Sequence, residues 1–219
     1  MQKVFVTGIT GYIGQHCAAE LLRQGYEVVG AIRSRSKADE TRSAISRVAS
    51  IKKLSFVEVD LLSDKGWKEA MEGSTYVLHI ASPFLLKEPK DESELITPAV
   101  EGTKRVIAAA QFAGVKRLVL TSSTFAIIAG KETGRYGPTD WSDTDADIGA
   151  YAKSKTLAEQ SAWDFIKNQK GNELLELVTI HPGPIYGPTL SGNLNGESMG
   201  MYKELIKGKM PMLPQFAMN

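Results

Sequence analysis

Tyr151, Lys153 and Lys155 stand close together in "GAYAKSKTLAEQSAW", residues 149–163. A phenol beside an ammonium can move a proton, because the cation stabilises the phenolate and lowers the phenol's pKa. The segment "AKSKTLAEQSAWDFI" is rich in helix formers and contains neither proline nor glycine, so it reads as a helix. Residues four apart share a helix face, and residues two apart do not. Lys155 therefore lies on the face of Tyr151, and Lys153 does not. Leu157, Ala158 and Ser161 fall near the packing side, and Lys153, Glu159 and Gln160 read as solvated. A second reading needs no chemistry: Tyr151 is a half-buried aromatic and Lys155 extends its stem along it to water. From this spacing alone the second reading is favoured, because so short a motif often occurs without the chemistry.

A different chemistry is suggested by "VFVTGITGYIGQH", which sets Gly8, Gly11 and Gly14 between a β-branched run and a helical one. Glycines there let a phosphate approach the backbone and let the helix pack near the sheet. The first N–H groups of the helix then face the anion. The spacing, Gly-x-x-Gly-x-x-Gly, is wider at its first gap than the usual dinucleotide fingerprint. After the second apolar run comes "AIRSRSK", with Arg33, Ser34, Arg35 and Lys37 and no carboxylate before Asp39. NAD sites usually carry an acid there for the ribose hydroxyls. A guanidinium instead suits a phosphate, so the cofactor expected is NADP(H), bound through its 2′-phosphate. Asp60, ending "VEVD", either accepts from the adenine amino group or caps the next turn.

Other polar residues read as structural. His79 and His181 lie at apolar strand ends and are expected to be packed and hydrogen-bonded. His16 has no partner at metal-ligand spacing. The acidic run Asp140, Asp143, Asp145 and Asp147 reads as a solvated loop without metal geometry. Trp67 and Trp163 fit helix packing, and Tyr186 is a loop aromatic within possible reach of a substrate. Cys17, the single cysteine, reads as a small buried hydrophobe.

These groups need a frame to bring them together. Strand-length apolar runs ("KVFVT", "YEVVGAIR", "LSFVEVD", "TYVLHIA", "RLVLTSS", "LELVTIHP") alternate with helical stretches around 37–49, 64–72, 92–113 and 151–170. That pattern predicts an α/β fold, a doubly wound parallel sheet covered on both faces. "GESMGMYKELIKGK" reads as one more helix, followed by a loop. With 26 basic and 25 acidic side chains among 219 residues, the net charge is +1, which argues against a nucleic-acid partner. No apolar run approaches a membrane span. The start "MQKVFVTG" enters a strand at once, leaving no signal peptide, so a cytoplasmic protein is expected.

Taken together, these segments resemble an extended short-chain dehydrogenase/reductase over essentially the whole chain. The resemblance rests on "TGITGYIG", "DLLSD", "HIASPF", "VEGTKRVIAAA", "TSS", "YAKSK" and "HPGPIYGPTL"; "DWSD", "YAKSKTLAEQSAW" and Arg33 are similar to the dihydroflavonol reductase and cinnamoyl-CoA reductase branch. It implies a Rossmann-type dinucleotide domain over residues 1–181 and the start of an incomplete substrate-binding region over 182–219. Gly8, Gly11 and Gly14 would hold the pyrophosphate, with backbone N–H groups of Tyr12 and Ile13. Arg33 would bind the 2′-phosphate, and Asp60 and Leu61 would border the adenine. Ala81 and Ser82 would line the nicotinamide ribose, and Pro182 would pack on the nicotinamide. Ser123, Tyr151 and Lys155 match the catalytic triad; alternation at a strand end lets only one of Ser122 and Ser123 face the pocket, and the family pattern favours Ser123. The implied activity is NADPH-dependent reduction of a small-molecule aldehyde or ketone, by a monomer or homodimer. Nucleotide-sugar epimerases and dehydratases share the triad, and a non-catalytic NADP(H)-binding module is a third possibility, motivated by the incomplete substrate lobe.

Overall fold

A computed structural model describes residues 1–83, 89–170, 174–193, 200 and 206–208. Six strands form one sheet: Lys3–Thr7 (β1), Glu27–Ile32 (β2), Leu54–Glu58 (β3), Tyr76–His79 (β4), Arg117–Thr121 (β5) and Glu176–Ile180 (β6). Their order is β3-β2-β1-β4-β5-β6, and all five pairings are parallel. The connections are Tyr12–Arg23 (α1), Ala38–Ser46 (α2), Trp67–Ala70 (α3), Ser93–Phe112 (α4), Phe125–Ile128 (α5) and Ala150–Lys167 (α6), with a short 3-10 turn at Arg35–Lys37. This is the doubly wound Rossmann-type arrangement expected from the alternating pattern. The strand order reverses between β1 and β4, so a crevice opens beyond their carboxyl ends.

The alternation of side chains along β1 distributes the core. Val4 and Val6 point to one face, where Val28, Ile32, Ala18, Ala19, Leu22 and Ile45 from β2, α1 and α2 close over them. Phe5 points to the other, against Val77, Leu118, Trp67, Val106, Ile107 and Ala162. Because both faces of β1 are covered, it reads as an unbroken apolar run. At the far edge the pattern changes. Val178 is 39% and Ile180 51% exposed, so β6 buries one face only, although its sequence reads as strongly apolar as that of β1.

Two helices are shorter than their sequence patterns. The stretch 64–72 yields only Trp67–Ala70, because Trp67 turns inward and its indole donates to the carbonyls of Asp60 and Ser63. The stretch 37–49 yields the 3-10 turn and α2, which ends at Ser46. The four-residue α5 was not foreshadowed by any amphipathic period. The helix expected from "GESMGMYKELIKGK" lies largely outside the described residues.

Candidate active site

The strand-to-helix turn after β1 explains its glycines in steric terms. Gly8 has φ +70°, and a Cβ there would sit 2.7 Å from the backbone nitrogen of Ala81. A Cβ on Gly14 would fall 2.1 Å from the carbonyl oxygen of Gly8. The turn is therefore pressed against both the end of β4 and its own helix, and a side chain would break either contact. Gly11 is exposed and caps α1 with extended backbone and no side-chain bond. The first N–H groups of α1, at Tyr12 and Ile13, have no intrahelical partner and follow a cap that carries no side chain. No acidic residue occupies the first turn, so the helix dipole there is uncompensated.

Thr7 ties this turn to β4. Its hydroxyl accepts from Ile80 N–H at 3.1 Å and from Ala81 N–H at 3.0 Å. With its acceptor capacity used, its hydrogen must go to His79 Nδ1, 2.7 Å away. His79 consequently carries its proton on Nε2 and donates it to Thr103 Oγ1 at 3.5 Å. Burial, followed by the nearby charge of Lys155, lowers the His79 pKa to about 3, so the ring is a neutral hydrogen-bonding relay at ordinary pH. His79 is packed and bonded, as its position at an apolar strand end predicts, and its bond to Thr7 orients the hydroxyl that holds Ala81 after β4.

On the opposite side stands α6. Tyr151 and Lys155 share a face, with Lys155 Nζ 6.0 Å from the centre of the Tyr151 ring. The Phe125 ring meets that of Tyr151 edge-on at 6.2 Å between centroids. Lys155 is 7% exposed, and its ammonium donates to the carbonyl of Thr121, at the end of β5, at 3.1 Å. Burial lowers its pKa to about 8, against the opposing influence of the Glu159 carboxylate. Lys155 therefore does not extend to water, which removes the reading of it as a solvated stem. A small cavity brings Ala81 and Ser82 from the β4 end to Thr121, Ser122, Lys155 and Glu159. A larger groove between the outer sides of α4 and α6 shares no lining residue with it.

The two serines after β5 part company. Ser122 Oγ donates to Glu159 Oε2 at 2.5 Å. Ser123 Oγ accepts from Phe125 N–H at 3.2 Å, and its own hydrogen has no acceptor among the described residues. Alternation thus spends one hydroxyl on α6 and keeps the other off it. Pro182 follows β6, and its carbonyl accepts from Thr124 N–H at 3.1 Å, which holds the start of the loop beside Ser123.

Several expectations need correction. Glu159 is not solvated: it is 2% exposed and bonds Ser122, His181 and Trp163. The short helix-face argument failed because β5 and β6 both end against that turn of α6. Lys153 is paired with Glu92 at 3.0 Å, with its side chain only 16% exposed. Cys17 is partly rather than fully buried. Asp60 takes the capping role with one oxygen, which accepts from Leu62 N–H at 2.9 Å, and Leu61 packs against Gly102 of α4. Arg33 is exposed after β2. Asp140 pairs with Lys131 at 3.8 Å and accepts from Gly137 N–H. Among the described residues no His, Cys, Asp and Glu cluster could hold a metal ion, and no helix is long and apolar enough to cross a membrane.

One closure escaped the sequence reading. The loop after β6 returns across the start of α1: His16 Nε2 meets Pro188 O at 2.9 Å, and Arg47 donates to Leu190 O at 2.9 Å. Gly187 passes so near Tyr12 that a Cβ would lie 2.6 Å from the phenol oxygen. The glycines and prolines of "PGPIYGP" signal a turning loop, but nothing local says over what.

A family model described as the NAD dependent epimerase/dehydratase family matches residues 4–209. A ketoreductase of Aspergillus niger is 34% identical, over 85% of this chain and 58% of its own. Dihydroflavonol 4-reductase of Hordeum vulgare is 32% identical, over 87% of this chain and 55% of its own. Among solved structures, yeast methylglyoxal/isovaleraldehyde reductase complexed with NADPH superposes with a TM-score of 0.76 at 29% identity, covering 86% of this chain and 59% of that one. The chain thus spans little more than half the length of these relatives.

Proposed function

The chain belongs to the NAD dependent epimerase/dehydratase family, and on that premise we propose that it reduces an aldehyde or ketone to an alcohol with NADPH. The observation that carries this reading is the placing of Tyr151 on one face of α6 with the buried ammonium of Lys155, which shares a cavity with Ala81 and Ser82 from the end of β4. The glycine turn supports a dinucleotide there, since its Cβ-free surface and uncapped helix start suit a pyrophosphate. Residues 1–181 would form that dinucleotide unit, and 182–219 would begin the substrate region. Gly8, Gly11, Gly14, Tyr12 and Ile13 would hold the diphosphate, Arg33 the 2′-phosphate, and Asp60 and Leu61 the adenine edge. Ala81, Ser82 and Pro182 would border the nicotinamide and its ribose.

Reduced nicotinamide supplies a hydride when bound. The chain's own groups manage the proton and the geometry. Ser123 donates its hydroxyl hydrogen to the carbonyl oxygen of the substrate and orients it. Tyr151 gives that oxygen a proton as the alcohol forms. A free phenol titrates near ~10; the ammonium of Lys155 stabilises the phenolate left behind, so Tyr151 can act nearer neutrality. The relatives point to a small carbonyl substrate: the yeast neighbour is a methylglyoxal/isovaleraldehyde reductase.

The test is turnover of NADPH with methylglyoxal, isovaleraldehyde and related short carbonyls, by the chain and by Tyr151→Phe. The variant is expected to lose about 100-fold or more in turnover while binding NADPH as before. Undiminished turnover rejects the assignment. The family's name also covers epimerases and dehydratases, which return the cofactor to its starting state each cycle. Stoichiometric loss of the reduced-nicotinamide absorbance separates a reductase from those. NADPH binding without reduction of any carbonyl would favour a non-catalytic binding module.

A further inference from the structure

Glu159 is the buried charge that the proposed proton transfer leaves without a role. A carboxylate this deep in a protein is retained where it is fully bonded or used. Its oxygens are bonded from three directions. Ser122 Oγ lies 2.5 Å from Oε2, and His181 Nε2 lies 2.7 Å from Oε2 and 2.9 Å from Oε1. Trp163 Nε1, one turn further along α6, donates to Oε1 at 3.3 Å. Ser122 is the residue just after β5, and His181 the residue just after β6. Each immediately precedes a residue of the site, Ser123 and Pro182. Along α6 itself, Glu159 follows Lys155 by one turn and Tyr151 by two, on the same face.

We infer that Glu159 is a positioning residue for the reaction: its carboxylate clamps the ends of β5 and β6 to α6, and its charge keeps Lys155 and Tyr151 protonated. The inference rests on the reading of Tyr151 as proton donor. The clamp follows from geometry. Holding Ser122 toward α6 turns Ser123 to the other side of the chain, and holding His181 fixes where the Pro182 loop begins. The charge acts at a distance, because Lys155 Nζ bonds Thr121 O and not Glu159. In a water-poor setting an anion still reaches groups one and two turns away.

The sign of that influence is the same for both groups. Loss of a proton turns the phenol into an anion and the ammonium into a neutral amine, and a nearby anion opposes each change. How the two protons are shared between Tyr151 and Lys155 therefore does not alter the direction. The titratable groups around Lys155 are His79 from β4 and Tyr151 and Glu159 from α6, and His181 after β6 bonds Glu159. Thr103 from α4, Thr121 from β5 and Ser122 just after it line the same cavity without titrating. His79 is neutral, so Glu159 is the resident negative charge of this set.

Glu159→Gln tests the charge while keeping the shape. The amide oxygen can accept from Trp163, and its nitrogen can donate to Ser122 Oγ and to His181 in its other tautomer. The readout is the tyrosinate absorbance as pH rises, with the curve of Tyr151→Phe subtracted to isolate Tyr151. Glu159→Gln is expected to move that titration down by about half a pH unit to one unit, and the alkaline limb of NADPH-dependent isovaleraldehyde reduction with it. Glu159→Asp keeps the charge but shortens the clamp. It should lower turnover and leave the titration in place. If Glu159→Gln does not fold, Glu159→Leu with Ser122→Ala removes both ends of the buried bond together and should show the same downward shift. A folded neutral variant whose Tyr151 titrates where it does in the parent overturns the inference. That outcome with Tyr151→Phe inactive refutes the role of Glu159 alone, whereas full turnover by Tyr151→Phe refutes the site reading beneath it.

Discussion

Arg33 leaves β2 exposed to solvent, and among the described residues neither it nor Arg35 has a carboxylate partner. Their neighbours are occupied: Lys37 pairs with Glu40 at 2.8 Å, and Arg42 with Asp39 at 3.0 Å. A guanidinium left this way at a strand end can give two charge-assisted bonds to a phosphate. Such a bond contributes roughly 1.5–3 kcal/mol. Arg33→Ala should thus weaken NADPH binding by about one to two orders of magnitude and leave NADH binding nearly unchanged, as read by fluorescence titration. Equal loss of both would mean that Arg33 supports the loop and does not read the phosphate. At this scale the sequence was informative where a residue's placement follows from a fixed local spacing. Tyr151 and Lys155, one helical turn apart, and Arg33, directly after a strand, belong to that class. Glu159 does not. Its helix position looks solvated until the ends of β5 and β6 are known to stop beside it, and no local pattern encodes that long-range contact.

At the scale of elements, the turn between β1 and α1 makes the sharpest steric claim. Gly14→Ala would put a methyl 2.1 Å from Gly8 O, so the turn must open for the variant to fold. Overpacking of this kind costs about 1–3 kcal/mol, and the opened turn should no longer bind NADPH. Gly25→Ala is the control. Gly25 has φ +89° but nothing within 4 Å of a new Cβ, so only backbone strain of about 1–2 kcal/mol applies. Both variants should melt at lower temperature, and only Gly14→Ala should lose the cofactor. If Gly14→Ala kept full affinity, the tight turn would not be the cradle. The central strands were readable from sequence because burial on both faces leaves long apolar runs. The shortness of α3 was not, since a single inward tryptophan bonded to two carbonyls ends the helical period. Nor was α5, whose four residues are too few to display one.

For the molecule as a whole, the notable asymmetry is at the edge of the sheet. β6 pairs with β5 on one side, and among the described residues no strand pairs with its other side. The exposed Val178 and Ile180 lie next to that open ladder. An uncovered apolar edge is a template for pairing with another chain. Self-association is therefore expected, read by light scattering as an apparent molar mass that rises with concentration, and Val178→Lys should reduce it without changing NADPH affinity. Scattering unaffected by the lysine would place any self-association elsewhere. The expectation of two apolar faces for β6 came from composition, which reports how apolar a strand is and not which neighbour covers it. The other large-scale feature is that Tyr151, Lys155 and Glu159 occupy successive turns of α6. Their alignment depends on counting alone: one residue gained or lost between Tyr151 and Lys155 would rotate everything beyond it by about 100°, turning the lysine and the carboxylate away from the phenol at once. The stretch from Tyr151 to Glu159 is for that reason constrained in the number of its residues as strictly as in the kind of side chain at its three aligned positions.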